Sequence, residues 1–229
     1  MLSVIVNFYN NRREAPNTLH SLTRAYQKNI QHIPYEVIAL DNGSTLPLSE
    51  ADVRAFGPEF RYAFVATDSP SPVTAINMAC REVAGDFVMI IIDGAHILTP
   101  GIIQLTHGAF RLIAAPFVAT VPFHLGPKKQ NRSILEGYNQ DIEDALLSSV
   151  GWRDNGYRLF NATGSYSDGS LRLVRLPLRK RLFRDAQARL PFDGWLRRAL
   201  SIARRRIDEP RFFSTRSVFE GPGICDASG

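Results

Sequence analysis

Phe87-Val88-Met89-Ile90-Ile91-Ile92-Asp93-Gly94 decides the fold. An uninterrupted apolar run rich in β-branched residues fits a strand buried on both faces, the kind found in parallel sheets covered by helices. The chain breaks at Gly94, and a helix restarts at Thr99-Pro100-Gly101. A carboxylate held where a buried strand exits into a loop is expected to serve a site rather than to be a solvated charge.

The stretches on either side repeat the pattern. Leu2 to Phe8 (LSVIVNF), Tyr35 to Leu40 (YEVIAL), Phe60 to Ala66 and Phe117 to Val121 read as further strands. Between them, Pro16 to Asn29 reads as a helix with Leu19, Leu22 and Tyr26 on one face, and Pro16 suits its first turn. Ser71 to Val83 reads as another, with Val73, Ile76, Cys80 and Val83 inward and Gly85 as its stop. A third runs from Thr99 to about Leu112. The expected order is β-α-β-β-α-β-α-β, an α/β sheet with helices on its faces.

At 229 residues and 45% apolar content, the chain suffices for one main core. Nothing approaches the roughly 18 to 20 apolar residues of a membrane span, and the first strand begins at Leu2 with no charged leader. The expectation is an intracellular, cytoplasmic protein. Cys80 and Cys225 are the only cysteines, which leaves neither a disulfide framework nor a zinc spacing.

Charge divides the chain in two. Residues 1–169 carry 13 Lys plus Arg against 16 Asp plus Glu, while residues 170–229 carry 14 against 6. The first part is expected to be the ligand-binding domain and the second a basic, partly helical appendage. Leu178 to Ala188 and Phe192 to Ile207 read as Arg-rich helices, the second with Phe192, Trp195, Ala199 and Ala203 on one face. Such a helix either packs on the main domain or lies on an anionic membrane, which would make the protein peripheral at the inner membrane face. Nucleic acid is not the expected partner, because Lys is scarce and no basic strand interleaved with aromatics occurs.

In parallel α/β sheets ligands gather outside the carboxyl ends of the strands. Three loops should share that rim: Asn7 to Asn11, Asp41 to Thr45 and Asp93 to His96. No Gly-x-Gly-x-x-Gly, P-loop or Gly-x-Ser-x-Gly stretch is present, so dinucleotide, P-loop and hydrolase-elbow readings lack support.

SVIVNFYN, then VIALDNGST, then AINMACREVAGDFVMIIIDG and an ILTPG helix start resemble the nucleotide-sugar-binding half of the family 2 glycosyltransferases over roughly Ser3 to Gly101. The resemblance implies the GT-A fold, a mostly parallel Rossmann-like sheet flanked by helices. It implies a sugar transferase, inverting in outcome, with a UDP- or GDP-sugar donor and a saccharide or lipid-linked acceptor. Phe8, Tyr9, Asn10, Asp41, Asn42, Asn77 and Asp93 stand at the nucleotide-sugar positions. Asp41 corresponds to the acid that meets base or ribose, and Asp93 to the first acid of the Asp-x-Asp signature. The implied cofactor is Mg²⁺ or Mn²⁺ at Asp93, with His96 beside it.

The chain departs from that pattern in places. Asn7 stands where proline is usual, Ala95 stands where the second acid would fall, and Pro191-Phe192-Asp193-Gly194 is only an echo of the Gly-Gly-Phe-Asp-Glu-like acceptor segment. A methyl group ligates nothing, so a relative that binds nucleotide sugar without turnover and serves as a partner or regulatory subunit is the alternative. The general base implied by the family is an acid in NQDIEDALLSSVGW, where Ile142, Leu146 and Val150 are expected to form the buried side of a helix. Glu143 and Asp144 lead, with Asp141 next to them, and the segment leaves the choice among them open.

Overall fold

The computed structural model describes residues 1–67, 71–92, 94–112, 117–120, 123–128, 130–163 and 199–203, with backbone alone at 117–119, 130–131 and 199–203. Four strands, β1 (Leu2–Phe8), β2 (Tyr35–Asp41), β3 (Phe60–Phe64) and β4 (Phe87–Ile91), pair in parallel in the order β3-β2-β1-β4. Every residue of β1 is buried, as a strand flanked by two others and covered on both faces must be. The α/β sheet expected from the alternating pattern is present, in the GT-A-like arrangement that the resemblance implies.

Period-two alternation divides the core into two layers. Val4, Val6 and Phe8 of β1 join Val37 and Ala39 of β2 in one cluster, together with α1 (Ala15–His20) and α4 (Ile102–Leu112). Ile5, Ile38, Leu40 and Ile90 point the other way, onto Ala75, Ile76, Ala79 and Cys80 of α3 (Val73–Glu82). Each fully buried Val, Leu, Ile or Phe among them contributes about 1.5–3 kcal/mol relative to exposure. The short α2 (Glu50–Arg54) was not legible beforehand; Ser49 caps it, accepting from the Asp52 amide at 3.3 Å.

The first helix is shorter than expected. It stops at His20, and the chain runs on to Asn29 in successive turns, with Leu22 bonded back to Leu19 and Tyr26 to Thr23. Hydroxyls explain the break: Ser21 donates to the Thr18 carbonyl and Thr23 to the His20 carbonyl, competing with the helix ladder. Leu19, Leu22 and Tyr26 are nonetheless buried.

The segment is instead fastened to the loop ahead of α4. Gln27 donates through Nε2 to the Ser21 and Thr99 carbonyls and accepts the Ile103 amide. Ser21 Oγ accepts the Leu98 amide at 3.0 Å, and Tyr26 donates to the Leu98 carbonyl at 2.8 Å.

Beyond β4 the sheet turns antiparallel. Ala199–Ala203 forms a strand, β6, between β4 and the short β5 (Phe117–Ala119). A helix over Phe192–Ile207 is thus corrected at these residues: five residues, apolar but for Ser201, carry no reliable period, and the open edge of β4 offers them backbone partners. The rest of that stretch, Leu178 to Ala188, the Pro191-Gly194 echo and Cys225 lie outside the described residues.

Two further helices, α5 (Gln130–Leu135) and α6 (Gln140–Val150), precede a 3-10 turn at Gly156–Asn161. The expected inner face of α6 is corrected too. Ile142 is 43% exposed, and Leu147 is the buried residue, because α6 docks on Tyr26 and Trp152. No helix among the described residues is long and apolar enough to cross a membrane.

Candidate functional site

Parallel pairing of β1, β2 and β4 brings the loops that follow them to one edge. At that edge Phe8 pairs with Asp41. The Asp41 side chain is fully buried, and the chain's own donors occupy it: Oδ1 accepts the Ser44 amide at 2.9 Å, and Oδ2 accepts the Leu48 amide at 3.1 Å and the Tyr62 hydroxyl at 3.3 Å. Burial and the Asp41 charge push the Tyr62 phenol up to about 12, so it stays a donor at neutral pH. Gly43 sits at φ +72° within this turn, and a Cβ there would fall 2.5 Å from the Thr67 carbonyl.

Asn10 ties the first loop to the second. Its amide donates to Ser44 Oγ at 2.9 Å, and its Oδ1 accepts both the amide and the hydroxyl of Thr45 at 3.0 Å. These bonds hold Asn10 at φ +54°. Tyr9, beside it, is half exposed, whereas Phe8 is fully buried.

Two carboxamides line the strand ends on the α3 side. Asn42 donates its amide to the Phe8 carbonyl at 2.8 Å, and its side-chain Oδ1 is buried without a partner. Asn7 Nδ2 donates to the Ile92 carbonyl at 3.1 Å, which lengthens by a side chain the β1–β4 pairing that ends at Val6 and Ile91. Its Oδ1 is likewise buried and unpartnered. Asn77 lies half-buried on α3.

Asp93 lies outside the described residues. Its neighbour Gly94 is locked: a Cβ there would fall 2.0 Å from the Phe8 ring, and its carbonyl accepts the Thr18 hydroxyl at 2.5 Å. Ala95 is exposed and His96 half-buried. No group of three or more His, Cys, Asp or Glu among the described residues is placed to hold an ion. A lone imidazole beside a methyl group is a poor donor set for oxygen-seeking Mg²⁺. The described residues do not themselves make the cation centre that the resemblance implies, and no step below is routed through one.

The acids of α6 reach the rim through Arg13, on the turn after β1. Arg13 Nη2 stands 3.0 Å from Glu143 and 2.8 Å from Glu14, and its Nη1 is 3.8 Å from Asp144. Glu143 is thereby engaged, and Asp144 is looser and more exposed. Asp141 is exposed in the first turn of α6, which Asn139 caps by accepting the Ile142 amide at 3.1 Å. Burial and the Glu143 charge push the neighbouring Tyr138 phenol up to about 12. Asp144 also lines a cleft of about 360 Å³ between α1 and the turn after α6.

Arg13 and Tyr62 had no role in the sequence-based expectations, and Ser44 entered only as a member of the Asp41 to Thr45 loop. The one available signal for Tyr62 was its alternating position on β3. Arg13 carried none, since its partner lies 130 residues away.

The sequence profile described as Glycosyl transferase family 2 matches residues 3–161. No curated protein matches the chain. Among solved structures, S. aureus TarS 1-349 in complex with UDP is 20% identical, covers 61% of this chain and 38% of its own, and gives a TM-score of 0.42. The mannosyltransferase PcManGT from Pyrobaculum calidifontis, in complex with GDP-Man and Mn2+, is 26% identical over 59% of this chain and 37% of its own, with a TM-score of 0.38. For M. tuberculosis glucosyl-3-phosphoglycerate synthase the figures are 19%, 48%, 40% and 0.35. The chain therefore spans well under two thirds of these proteins.

Proposed function

This chain belongs to glycosyl transferase family 2, and from that premise we propose that it transfers a sugar, with inversion, from a nucleoside-diphosphate donor to a saccharide or lipid-linked acceptor. The observation that supports this most is the cross-bracing of the first two rim loops: Asn10 with Ser44 and Thr45, and Asp41 with Ser44, Leu48 and Tyr62. Selecting a nucleotide requires polar groups held to within a fraction of an ångström, and a seat whose loops are bonded to one another meets that requirement.

In this proposal the nucleoside lies over the ends of β1 and β2. Tyr9 supplies an exposed ring, Asn7, Asn42 and Asn77 supply carboxamides, and Asp41 fixes the loop that carries Ser44 and Thr45. The acceptor oxygen attacks the anomeric carbon from the face opposite the diphosphate, the carbon–oxygen bond to the diphosphate breaks, and the acceptor proton passes to a carboxylate. We assign that carboxylate to Asp144, because Glu143 is held by Arg13 at 3.0 Å while Asp144 faces the cleft. Asp93 and His96 stand closest in sequence to where the diphosphate would emerge.

Ala95 favours a second reading, binding without turnover. Calorimetric titration with UDP and GDP, with and without Mn²⁺, followed by an assay for donor hydrolysis, separates the two. Binding with turnover supports the transferase, binding alone supports the second reading, and no nucleotide binding refutes both.

A further inference from the structure

The sheet ends at β3, and among the described residues no strand closes its outer edge. The Val37 amide donates to the Glu59 carbonyl at 2.8 Å, and the Val65 amide to the Asp41 carbonyl at 2.9 Å. In a parallel pair the residues that bond across alternate along the strand, so Arg61 and Ala63 turn their backbone groups to β2 while Phe60, Tyr62 and Phe64 turn theirs outward. The Phe60 amide is engaged by the Gly57 carbonyl at 3.1 Å. The amides of Tyr62 and Phe64 and the carbonyls of Phe60, Tyr62 and Phe64 have no partner among the described residues.

Such edges are ordinarily blunted by Lys, Pro, a bulge or a covering segment. Phe60–Phe64 contains neither Lys nor Pro, pairs with β2 without a bulge and leaves Phe64 48% exposed. Its idle groups are self-complementary. With Tyr62 set opposite Tyr62 of an antiparallel second copy, each Tyr62 amide meets the other's carbonyl, and each Phe64 amide meets the carbonyl of the other copy's Phe60. The ladder stops at the Phe60 amide, which Gly57 already holds.

Side chains agree with that register. The exposed Phe64 ring falls opposite Phe60 of the second copy, an aromatic cross-strand pair. Arg61, held by Glu36 at 3.0 Å, falls opposite Ala63, so no like charges meet. As the crossover between parallel strands, α2 runs opposite to β3, and the same axis sets it antiparallel to its copy, with Arg54 toward the acids Glu50 and Asp52.

We propose that β3 pairs with β3 of a second copy of this chain across a two-fold axis at Tyr62, joining two sheets into one. An isologous contact of this kind closes at two copies. One short strand and one short helix from each side make a small interface, so the dimer is weak, with a dissociation constant of about 10–100 µM. The inference is independent of the transferase reading.

Sedimentation velocity on the full chain, from micromolar to half-millimolar concentration, should show reversible exchange between monomer and dimer. Amide exchange followed by NMR should slow at Tyr62 and Phe64, and not at Phe60, as concentration rises. Phe64→Pro removes an outward amide and no bond to β2, and Phe64→Lys keeps the backbone but puts a charge at the contact. Each should raise the dissociation constant at least about tenfold, whereas Leu112→Lys, at the exposed end of α4, should leave it unchanged. A chain that stays monomeric throughout, a dimer that survives both Phe64 variants, or growth beyond two copies overturns the proposal. Slow exchange at Tyr62 and Phe64 that does not vary with concentration overturns it too, by assigning the edge to a segment of the same chain.

Discussion

Arg13 and Glu143, 130 residues apart in sequence, meet at 3.0 Å across the gap between the loop after β1 and the start of α6. The pair is partly exposed, so its net contribution to stability is small, about 0–1 kcal/mol. Its larger effect is geometric, since it fixes where the α6 acids stand relative to Asn10. Arg13→Ala is expected to shift the denaturation midpoint little and to lower turnover at least about tenfold, the loss associated with a misplaced reacting group. Arg13→Lys should recover only part, because an ammonium does not reproduce the planar fork. Turnover equal to wild type in Arg13→Ala would remove the residue from the site.

Asp41→Asn tests the buried turn. An amide supplies one acceptor where the carboxylate supplies two, so the Ser44 or Leu48 amide would face an NH₂ group. The expected loss is about 2–4 kcal/mol in urea unfolding, together with weaker UDP binding. Tyr62→Phe removes only the longest of the three bonds and should cost about 1 kcal/mol.

Gly94→Ala places a methyl where the Phe8 ring now lies, at 2.0 Å. Phe8 is fully buried, so its ring can shift only by displacing packed neighbours. Destabilisation of about 1–3 kcal/mol is expected by thermal melting, with nucleotide affinity reduced as the β1 loop shifts. A melting temperature unchanged from wild type would show that the ring moves freely.

His20 gives the protein an acid-side dependence. Burial, and then the Arg153 charge, lower its pKa below the ordinary value of about 6.5. The unfolded chain binds this proton more readily, so stability rises with pH across the window between the lowered native value and about 6.5. The contribution is present in full above that window and is lost as pH falls through it. His20→Phe keeps a ring against Tyr26 and Trp152 and should flatten the urea midpoint between pH 5 and 7; an unaltered slope would assign the effect elsewhere.

Long-period features were legible in the sequence and pairwise ones were not. The runs at Leu2–Phe8, Tyr35–Leu40 and Phe87–Ile91 announced a parallel sheet because apolar residues dominate both faces of each, with Ser3, Asn7 and Glu36 the few polar interruptions. The turns at Leu22–Asn29 were missed because Ser21, Thr23 and Gln27 satisfy the backbone through side chains, while their neighbours keep a helix-like apolar spacing. The exposure of Ile142 was missed because α6 packs on Tyr26 and Trp152 through Leu147 and Val150, near its far end, and leaves its first turn outward. At the site, Asp41 and Asn10 stood out by following strands, but the bonds that occupy them come from amides a few residues on, and Arg13 found its partner only in three dimensions.

Gln27, Ser21, Tyr26 and Thr18 stitch the Gly94–Ile103 stretch to the segment around α1 with five side-chain bonds. That stretch begins where the diphosphate is expected to emerge, so one bank of the crevice is stationary while ligands come and go. Breathing motions that admit a donor then fall to the opposite bank, and amide exchange at Leu98 and Ile103 should be among the slowest in the molecule, whether or not nucleotide is present.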